Sequence, residues 1–144
     1  MSKRDVELYI VDILIAINKI ERYSKKFTNA QELLYSELEW DAVIRELEIV
    51  GEATNSLLKL NFLNQEYRVI VDFRNQINHG YFGIDENIVW EVITSYLKEF
   101  RMALFDIIKE NNISLNEAIE SAKEDNSFNQ NILHFLDSLS NEFN

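Results

Sequence analysis

The stretch DENIVWEVITSYLKEFRMALFDIIKE, residues 85–110, decides the fold class. Apolar residues recur in it every three or four positions, which places them on one face of a helix. Asp85 stands at the start, where a helix N-cap is expected. The stretch is therefore predicted to be one amphipathic helix, whose apolar face comprises Ile88, Val89, Val92, Ile93, Tyr96, Leu97, Phe100, Leu104, Ile107 and Ile108.

The same spacing extends towards the N-terminus, and the chain contains no proline to interrupt it. It predicts a first helix over about residues 3–25, a second, kinked helix from the cap Asn29 to about residue 60, and a third over about 64–79. With the helix over 85–110 these segments predict an all-α, up-and-down four-helix bundle.

Two details of these helices concern packing. Gly51 lies inside the second helix, where glycine costs about 1 kcal/mol relative to alanine. We expect a neighbouring helix to approach closely there. In the third helix the inward-facing residues are predicted to be Val69, Ile70, Phe73 and Ile77.

Residues 111–144 follow the bundle after an Asn111-Asn112 break. Ser114 stands three residues before Glu117, which is a capping-box pattern and predicts a short fifth helix. A sixth helix is predicted to place Phe128, Ile132, Phe135, Leu136 and Leu139 on one side. We expect this acidic helical extension to pack on or near the bundle formed by residues 1–110.

The composition is that of a soluble globular protein, with 47% hydrophobic and 27% charged residues among 144. The net charge is −11, divided as −6 over residues 1–110 and −5 over residues 111–144. This balance argues against general coating of nucleic acid, although a small local site stays open. Cysteine is absent, so disulfides and thiolate metal sites are excluded, and we expect a cytoplasmic protein without a membrane span.

The run RNQINHGYFG, residues 74–83, carries the candidate chemistry. On a helix Arg74 and Asn78 share one face, and Asn75 and His79 share the adjacent one. A guanidinium can hold a phosphate and a histidine can move a proton, so the functional interpretation of the run is metal-free cleavage of RNA through its 2′-OH. The alternative is structural: Arg74 pairs with a carboxylate, and His79 interacts with the helix C-terminus.

Such cleavage needs both an acid and a base, whereas one histidine is present at the site. A symmetric homodimer would supply two. The other histidine, His134, lies between apolar residues and is predicted to be structural. Asp72 and Asp85 flank the site without forming a ligand pattern, so we expect neither a metal nor another cofactor.

The form Arg-x4-His-x-Tyr, from Arg74 through His79 to Tyr81, resembles the signature of HEPN domains, specifically the HepT-like toxins. The GEA at residues 51–53 and the IVWEVI at residues 88–93 are also similar to that family's pattern. The resemblance covers about residues 5–110. The stretch NQEYRVIVDF departs from it, because it lacks the proline and tryptophan that often precede the family's arginine.

The resemblance implies a homodimeric, metal-independent ribonuclease, the toxin of a type VII-like toxin–antitoxin pair. Arg74 and His79 would be catalytic with Asn75 assisting, and Asn78 and Gly80 would support them. The partner would be an MNT-type nucleotidyltransferase antitoxin that silences the nuclease by transferring AMP to Tyr81. The rival is a non-catalytic HEPN module that binds a nucleotidyltransferase or a nucleotide.

Overall fold

The computed structural model describes residues 3–78 and 83–143, with the backbone alone for residues 3, 4 and 78. Within these residues the chain is all-α and contains no strand, which confirms the predicted fold class. The helices are α1 (Lys3–Ser24), α2 (Ala30–Tyr35), α3 (Glu37–Lys59), α4 (Arg68–Asn78), α5 (Glu86–Glu91), α6 (Leu97–Glu110), α7 (Asn116–Asp125) and α8 (Gln130–Phe143), with a 3₁₀ turn at Gln65–Tyr67 and a π-helical turn at Val92–Tyr96.

Helices α1 and α3 form the centre of the bundle and run antiparallel. The direction follows from two ion pairs, because Lys19 lies 3.9 Å from Glu46 and Lys26 lies 2.7 Å from Glu39. Between them the apolar faces meet in a fully buried layer. That layer comprises Ile10, Ile13, Leu14, Ile17 and Ile20 from α1 and Val43, Leu47, Val50 and Leu57 from α3.

The predicted second helix is two helices, α2 and α3, separated at Ser36. Asn29 caps α2 as predicted, since its side chain accepts a 2.9 Å hydrogen bond from the backbone N–H of Glu32. At the break the Ser36 hydroxyl donates to the Glu39 carboxylate at 2.6 Å. A side chain that bonds locally in this way competes with continuation of the helix, which accounts for the predicted kink becoming a break.

Helices α4 and α5 leave two apolar residues in solvent that the spacing placed inside. Ile70, Phe73 and Ile77 are buried as predicted, whereas Val69 is 53% exposed and Ile88 is 47% exposed. Both predictions were wrong because Val69 and Ile88 line an open groove between α4 and α5, where no further helix of the described chain covers them.

The predicted fourth helix is continuous from Glu86 to Glu110 but contains a π-helical turn. Asp85 caps it as predicted, accepting a 2.9 Å hydrogen bond from the Asn87 N–H. At the wide turn the Thr94 hydroxyl donates to the Trp90 carbonyl at 2.6 Å. Turns of this kind are frequent at functional sites, and this one separates two surface hollows.

Helices α7 and α8 pack on α1 and extend its core through Leu115, Ala118, Ile119, Ile132, Leu136 and Leu139. Two predictions here were wrong. Leu115 is the N-cap residue of α7 and Ser114 accepts only a long 3.5 Å hydrogen bond from Asn116, so no capping box forms. Phe128 precedes α8 and is fully exposed. The division into a bundle and an extension stays a prediction.

Candidate active site

Helix α4 turns Arg74 towards α3, where Gly51 makes room for it. A Cβ atom at Gly51 would lie 2.6 Å from the Arg74 Cγ and closer still to the Arg74 Cβ. No side chain fits at such distances without moving the two backbones apart. The close helix approach predicted from the mid-helix glycine is thus confirmed, and the residue that approaches is the candidate catalytic arginine.

Two side chains hold the Arg74 guanidinium. Its Nη2 donates to the Glu52 carboxylate at 3.1 Å, and its Nη1 donates to the Asn75 side-chain oxygen at 3.0 Å. Its Nε is buried and has no acceptor among residues 3–78 and 83–143. About a quarter of the Arg74 side chain stays exposed (26%), so the ends of the guanidinium remain accessible.

Asn75 and Asn78 are the other residues of the predicted site that belong to α4. Asn75 is exposed beside Arg74, in contact with it. Asn78 is the last residue of α4. His79, Gly80 and Tyr81 lie outside the described residues, so their roles stay predictions. Gly83 follows them with φ of 89°, a left-handed conformation that favours glycine.

Sequence reasoning assigned no role to Glu52. The sequence signal for it is the GEA at residues 51–53, which places a glutamate directly after the mid-helix glycine. The structure explains why these residues occur together: Gly51 admits the stem of Arg74, and Glu52, one residue further along α3, receives its guanidinium. The predicted structural alternative, that Arg74 pairs with a carboxylate, is therefore also observed.

This arrangement can recognise an anion. Arginine carries five N–H donors in a planar fork, and Glu52 and Asn75 occupy one Nη atom each. A phosphate approaching the exposed edge can accept the remaining Nη hydrogens. Because Glu52 is 61% exposed, its ion pair with Arg74 is screened by water and can exchange for a phosphate at small cost.

The other titratable candidates lie apart from this constellation. His134 is exposed on α8. The prediction that it lies within the apolar face of this helix was wrong. Asp85 is engaged in its helix cap, and Asp72 lines the groove between α4 and α5. Over the described part of the chain, no three His, Cys, Asp or Glu side chains come together as a metal-ligand group.

A tyrosine near α4 is unsuited to proton transfer at neutral pH. Tyr96 lines the groove between α4 and α5, and burial together with nearby Tyr67, Glu66 and Glu99 raises its pKa to about 12. A phenol with that pKa keeps its proton. His79 stays the predicted group for acid–base chemistry.

Comparison with known proteins decides the family. A family model described as ribonuclease HepT-like matches residues 13–107, which include Gly51, Glu52 and Arg74. The chain belongs to the HepT-like ribonuclease family. The matched residues extend from α1 to α6, and α7 and α8 lie beyond them.

Several archaeal relatives agree. A protein of Methanocaldococcus jannaschii provisionally named an RNase, MJ1380, is 36% identical over 96 residues, covering 65% of this chain and 87% of the relative. Another from that organism with a similar provisional name, MJ0127, is 31% identical over 114 residues, covering 76% and 93%. A Thermococcus cleftensis protein named as a probable ribonuclease HepT is 32% identical over 94 residues, covering 63% and 84%. No solved structure matches the chain.

No helix of the described residues has the length and apolar character needed to cross a membrane.

Proposed function

We propose that this HepT-like protein is a metal-independent endoribonuclease in which Arg74 holds the scissile phosphate and His79 transfers the proton. The observation that carries the proposal is the fixed position of Arg74. Its stem is pressed against Gly51, its guanidinium is oriented by Glu52 and Asn75, and His79 follows it five residues later in the sequence.

The reaction we propose is intramolecular. The RNA 2′-OH loses its proton to a base and attacks the adjacent phosphorus, forming the O2′–P bond. The P–O5′ bond breaks and the leaving O5′ takes a proton from an acid, which gives a 2′,3′-cyclic phosphate and a 5′-OH. Arg74 stabilises the negative charge that grows on the phosphoryl oxygens. His79 serves as one of the two proton-transfer groups.

The second proton-transfer group comes, in this proposal, from a second copy of the chain in a homodimer. The groove beside α4 supports association, because Val69 and Ile88 are large apolar side chains exposed along it. Light scattering at micromolar concentration should report twice the 17.0 kDa chain mass. An active monomer would contradict this part of the proposal.

Cleavage itself is tested with an unstructured RNA incubated with the protein and its Arg74→Ala and His79→Ala variants, all in EDTA. We expect each substitution to reduce the cleavage rate by at least about 100-fold. His134→Ala is the matched control, since it removes an exposed histidine from α8. Equal cleavage by all four proteins would remove Arg74 and His79 from the mechanism, and activity restored only by Mg²⁺ would refute metal independence.

The regulatory part of the proposal is that an MNT-type nucleotidyltransferase antitoxin transfers AMP to the Tyr81 hydroxyl. A nucleotide two residues beyond His79 would place negative charge where the RNA phosphate must bind. After co-expression with such an enzyme, intact-mass measurement should show AMP on the protein but not on Tyr81→Phe. AMP that persists on the Phe variant would place the modification elsewhere.

The alternative is a non-catalytic module that binds a nucleotidyltransferase or a nucleotide. Two observations favour it: the net charge of −11 and the carboxylate of Glu52 on the guanidinium that would bind RNA. The cleavage assay in EDTA separates the two functions, because a binding module leaves the RNA intact.

A further inference from the structure

An open cleft of about 490 Å³ lies between the end of α1 and the segment that runs from α5 through the π-helical turn into α6. The end of α1 and the residues after it contribute Arg22, Lys25 and Phe27, and the facing wall contributes Trp90 and Lys98. Glu21 is its single acid among the described residues. We refer to these six residues as the basic cleft. Its net positive lining stands out on a chain whose net charge is −11.

The cations of the basic cleft are free to bind an anion. None of Arg22, Lys25 and Lys98 has a carboxylate within 4.0 Å in the described part of the chain. The one acid, Glu21, is already engaged by Arg101 of α6. Surface cations without partners keep their full attraction for a phosphate.

Arg22 is held in place by a hydrogen bond, and no carboxylate of the described residues forms an ion pair with it. Its Nε donates to the Asn18 side chain at 3.0 Å, and its Nη2 is buried without an acceptor among the described residues. On α3 the charge of Arg22 acts on Glu46, whose pKa burial raises and the charges of Lys19, Arg45 and Arg22 lower, and Lys19 is its ion-pair partner. Arg22 therefore contributes a fixed positive charge to the lining of the cleft, beside the exposed ammonium groups of Lys25 and Lys98.

Aromatic side chains alternate with these cations. Trp90 and Phe27 are half-buried in the cleft walls, so each keeps part of its ring accessible. A second hollow of about 570 Å³ adjoins the cleft, shares Arg22 and Lys25 with it, and adds Tyr23. A positively charged path with interspersed aromatic rings is the surface that binds single-stranded nucleic acid, since phosphates follow the cations and bases stack on the rings.

The cleft lies at the end of the bundle towards which α4 runs. Helix α1 runs antiparallel to α3, as its two ion pairs show, and α4 returns along α3 after the short 60–67 connection. The C-terminal ends of α1 and α4 therefore point the same way. Helix α5 starts at this end, in contact with α2. A strand bound in the cleft would thus lie at the end of the bundle where α4 ends, on the other side of the π-helical turn from the groove beside α4.

We propose that the basic cleft binds a single-stranded segment of RNA on one side of the cleaved bond, with its phosphates on Arg22, Lys25 and Lys98 and a base stacked on Trp90. This inference rests on the proposed ribonuclease function and adds to it the choice of unpaired RNA as substrate. Two adjoining hollows along one line of cations suit a strand better than a single mononucleotide.

The test measures binding of a labelled single-stranded RNA whose 2′ positions are O-methylated, so that no 2′-OH is available for cleavage. Fluorescence anisotropy over a range of salt concentrations gives the Kd and its salt dependence for the full-length protein. Lys25→Gln/Lys98→Gln should weaken binding and lower the slope of log Kd against log salt by about 1.4, because each phosphate contact on a single strand contributes about 0.7. Trp90→Leu should weaken binding at least about fivefold with the slope unchanged.

The matched control is Lys59→Gln/Arg68→Gln. Both residues are exposed and have no ion pair in the described chain. Lys59 is the last residue of α3 and Arg68 is the first of α4, so both lie at the other end of the bundle from the cleft. This variant loses the same charge and should bind RNA with an unchanged slope. Equal weakening by the two double variants would show that net charge alone governs binding and would overturn the proposal.

Two further results would also overturn it. The first is normal binding by Trp90→Leu, shown to be folded by circular dichroism, because the cleft would then lack its stacking role. The second is displacement of the RNA by polyglutamate of equal charge at the same concentration, which would identify a site for acidic protein segments. Failure of the nuclease proposal gives a different result from failure of the cleft proposal. An RNA with free 2′-OH groups would then bind through the cleft and remain uncut.

Discussion

Arg74 and the cations of the basic cleft are held in opposite ways. Arg74 is pressed against the backbone of α3 at Gly51 and bonded to Glu52 and Asn75. Lys25 and Lys98 are exposed and form no ion pair among the described residues. The first arrangement fixes one guanidinium, whereas the second leaves ammonium groups free to follow a flexible ligand.

The difference matches two tasks. A group that stabilises a transition state must be positioned before the reaction, because displacement by about 1 Å can cost about 100-fold in rate. Groups that attract an unpaired strand gain from mobility, because phosphates of different sequences and conformations must all be reached. In this proposal Arg74 acts in the chemical step and the basic cleft binds the RNA strand. Substitutions in each region test whether the two roles are separate, beginning with the largest expected effect.

Gly51→Ala should have the largest effect on the position of Arg74. The new methyl group would meet the Cβ and Cγ atoms of Arg74, so α3 and α4 must move apart. Overpacking of this kind costs about 1–3 kcal/mol, and the better helix propensity of alanine offsets about 1 kcal/mol. We expect up to about 2 kcal/mol of destabilisation in urea unfolding and at least about 100-fold slower RNA cleavage.

The control for this variant is Ser56→Ala on the same helix, where the serine hydroxyl only donates to the Glu52 carbonyl at 3.3 Å. It should leave cleavage within about twofold, since the bond is exposed and its net contribution is small. Binding of the O-methylated RNA should survive Gly51→Ala, because the basic cleft does not include α3. If binding and cleavage fall together, the two regions are not separate.

Glu52→Gln should have an intermediate effect on the fixed region. Glutamine keeps an oxygen acceptor for Arg74 but removes the charge that competes with a phosphate. Because Glu52 is 61% exposed, its ion pair contributes at most about 1 kcal/mol. We expect KM for RNA to fall by up to about fivefold with kcat little changed. A tenfold loss of kcat at constant KM would instead place the carboxylate in the chemical step.

Much of the fold could be predicted because helical periodicity and caps are local signals. Asn29 and Asp85 cap helices as predicted, and Gly51 correctly indicated a close helix contact. The failures have a different cause. Val69 and Ile88 continue an apolar stripe, but whether a neighbouring helix covers a stripe depends on tertiary arrangement, which periodicity does not encode.

The candidate site shows the same limit. Arg74 could be singled out from its own segment, whereas its partner Glu52 is 22 residues away in sequence on another helix. The basic cleft escaped notice altogether, since its cations come from the end of α1 and from Lys98, far apart in the chain. A net charge of −11 concealed it, because total charge says nothing about how cations are distributed in space.

The smallest predicted effect concerns Lys26. This cation lies beside the basic cleft but, like Arg74, it is bound to a carboxylate. Its ammonium donates to the Glu39 carboxylate at 2.7 Å. That bond, together with one from the Ser36 hydroxyl, lowers the pKa of Glu39 to about 2. The ordinary pKa of a glutamate is 4.5, so the folded protein releases this proton more readily than the unfolded chain. The resulting stabilisation is complete above pH 4.5 and is lost as the pH falls towards about 2.

Glu39→Gln should therefore lower the urea midpoint at pH 7, and its difference from the unsubstituted protein should vanish near pH 2. The matched control is Glu37→Gln, which removes an exposed charge from the same first turn of α3 without breaking an ion pair in the described chain. The same Glu39→Gln variant should bind the O-methylated RNA slightly more tightly, by about twofold, because Lys26 then joins the free cations next to Arg22 and Lys25. A pH-independent difference in midpoint would show that Lys26 and Glu39 do not pair in solution. Lys26 would then already be available to a phosphate, together with Lys25 and Lys98.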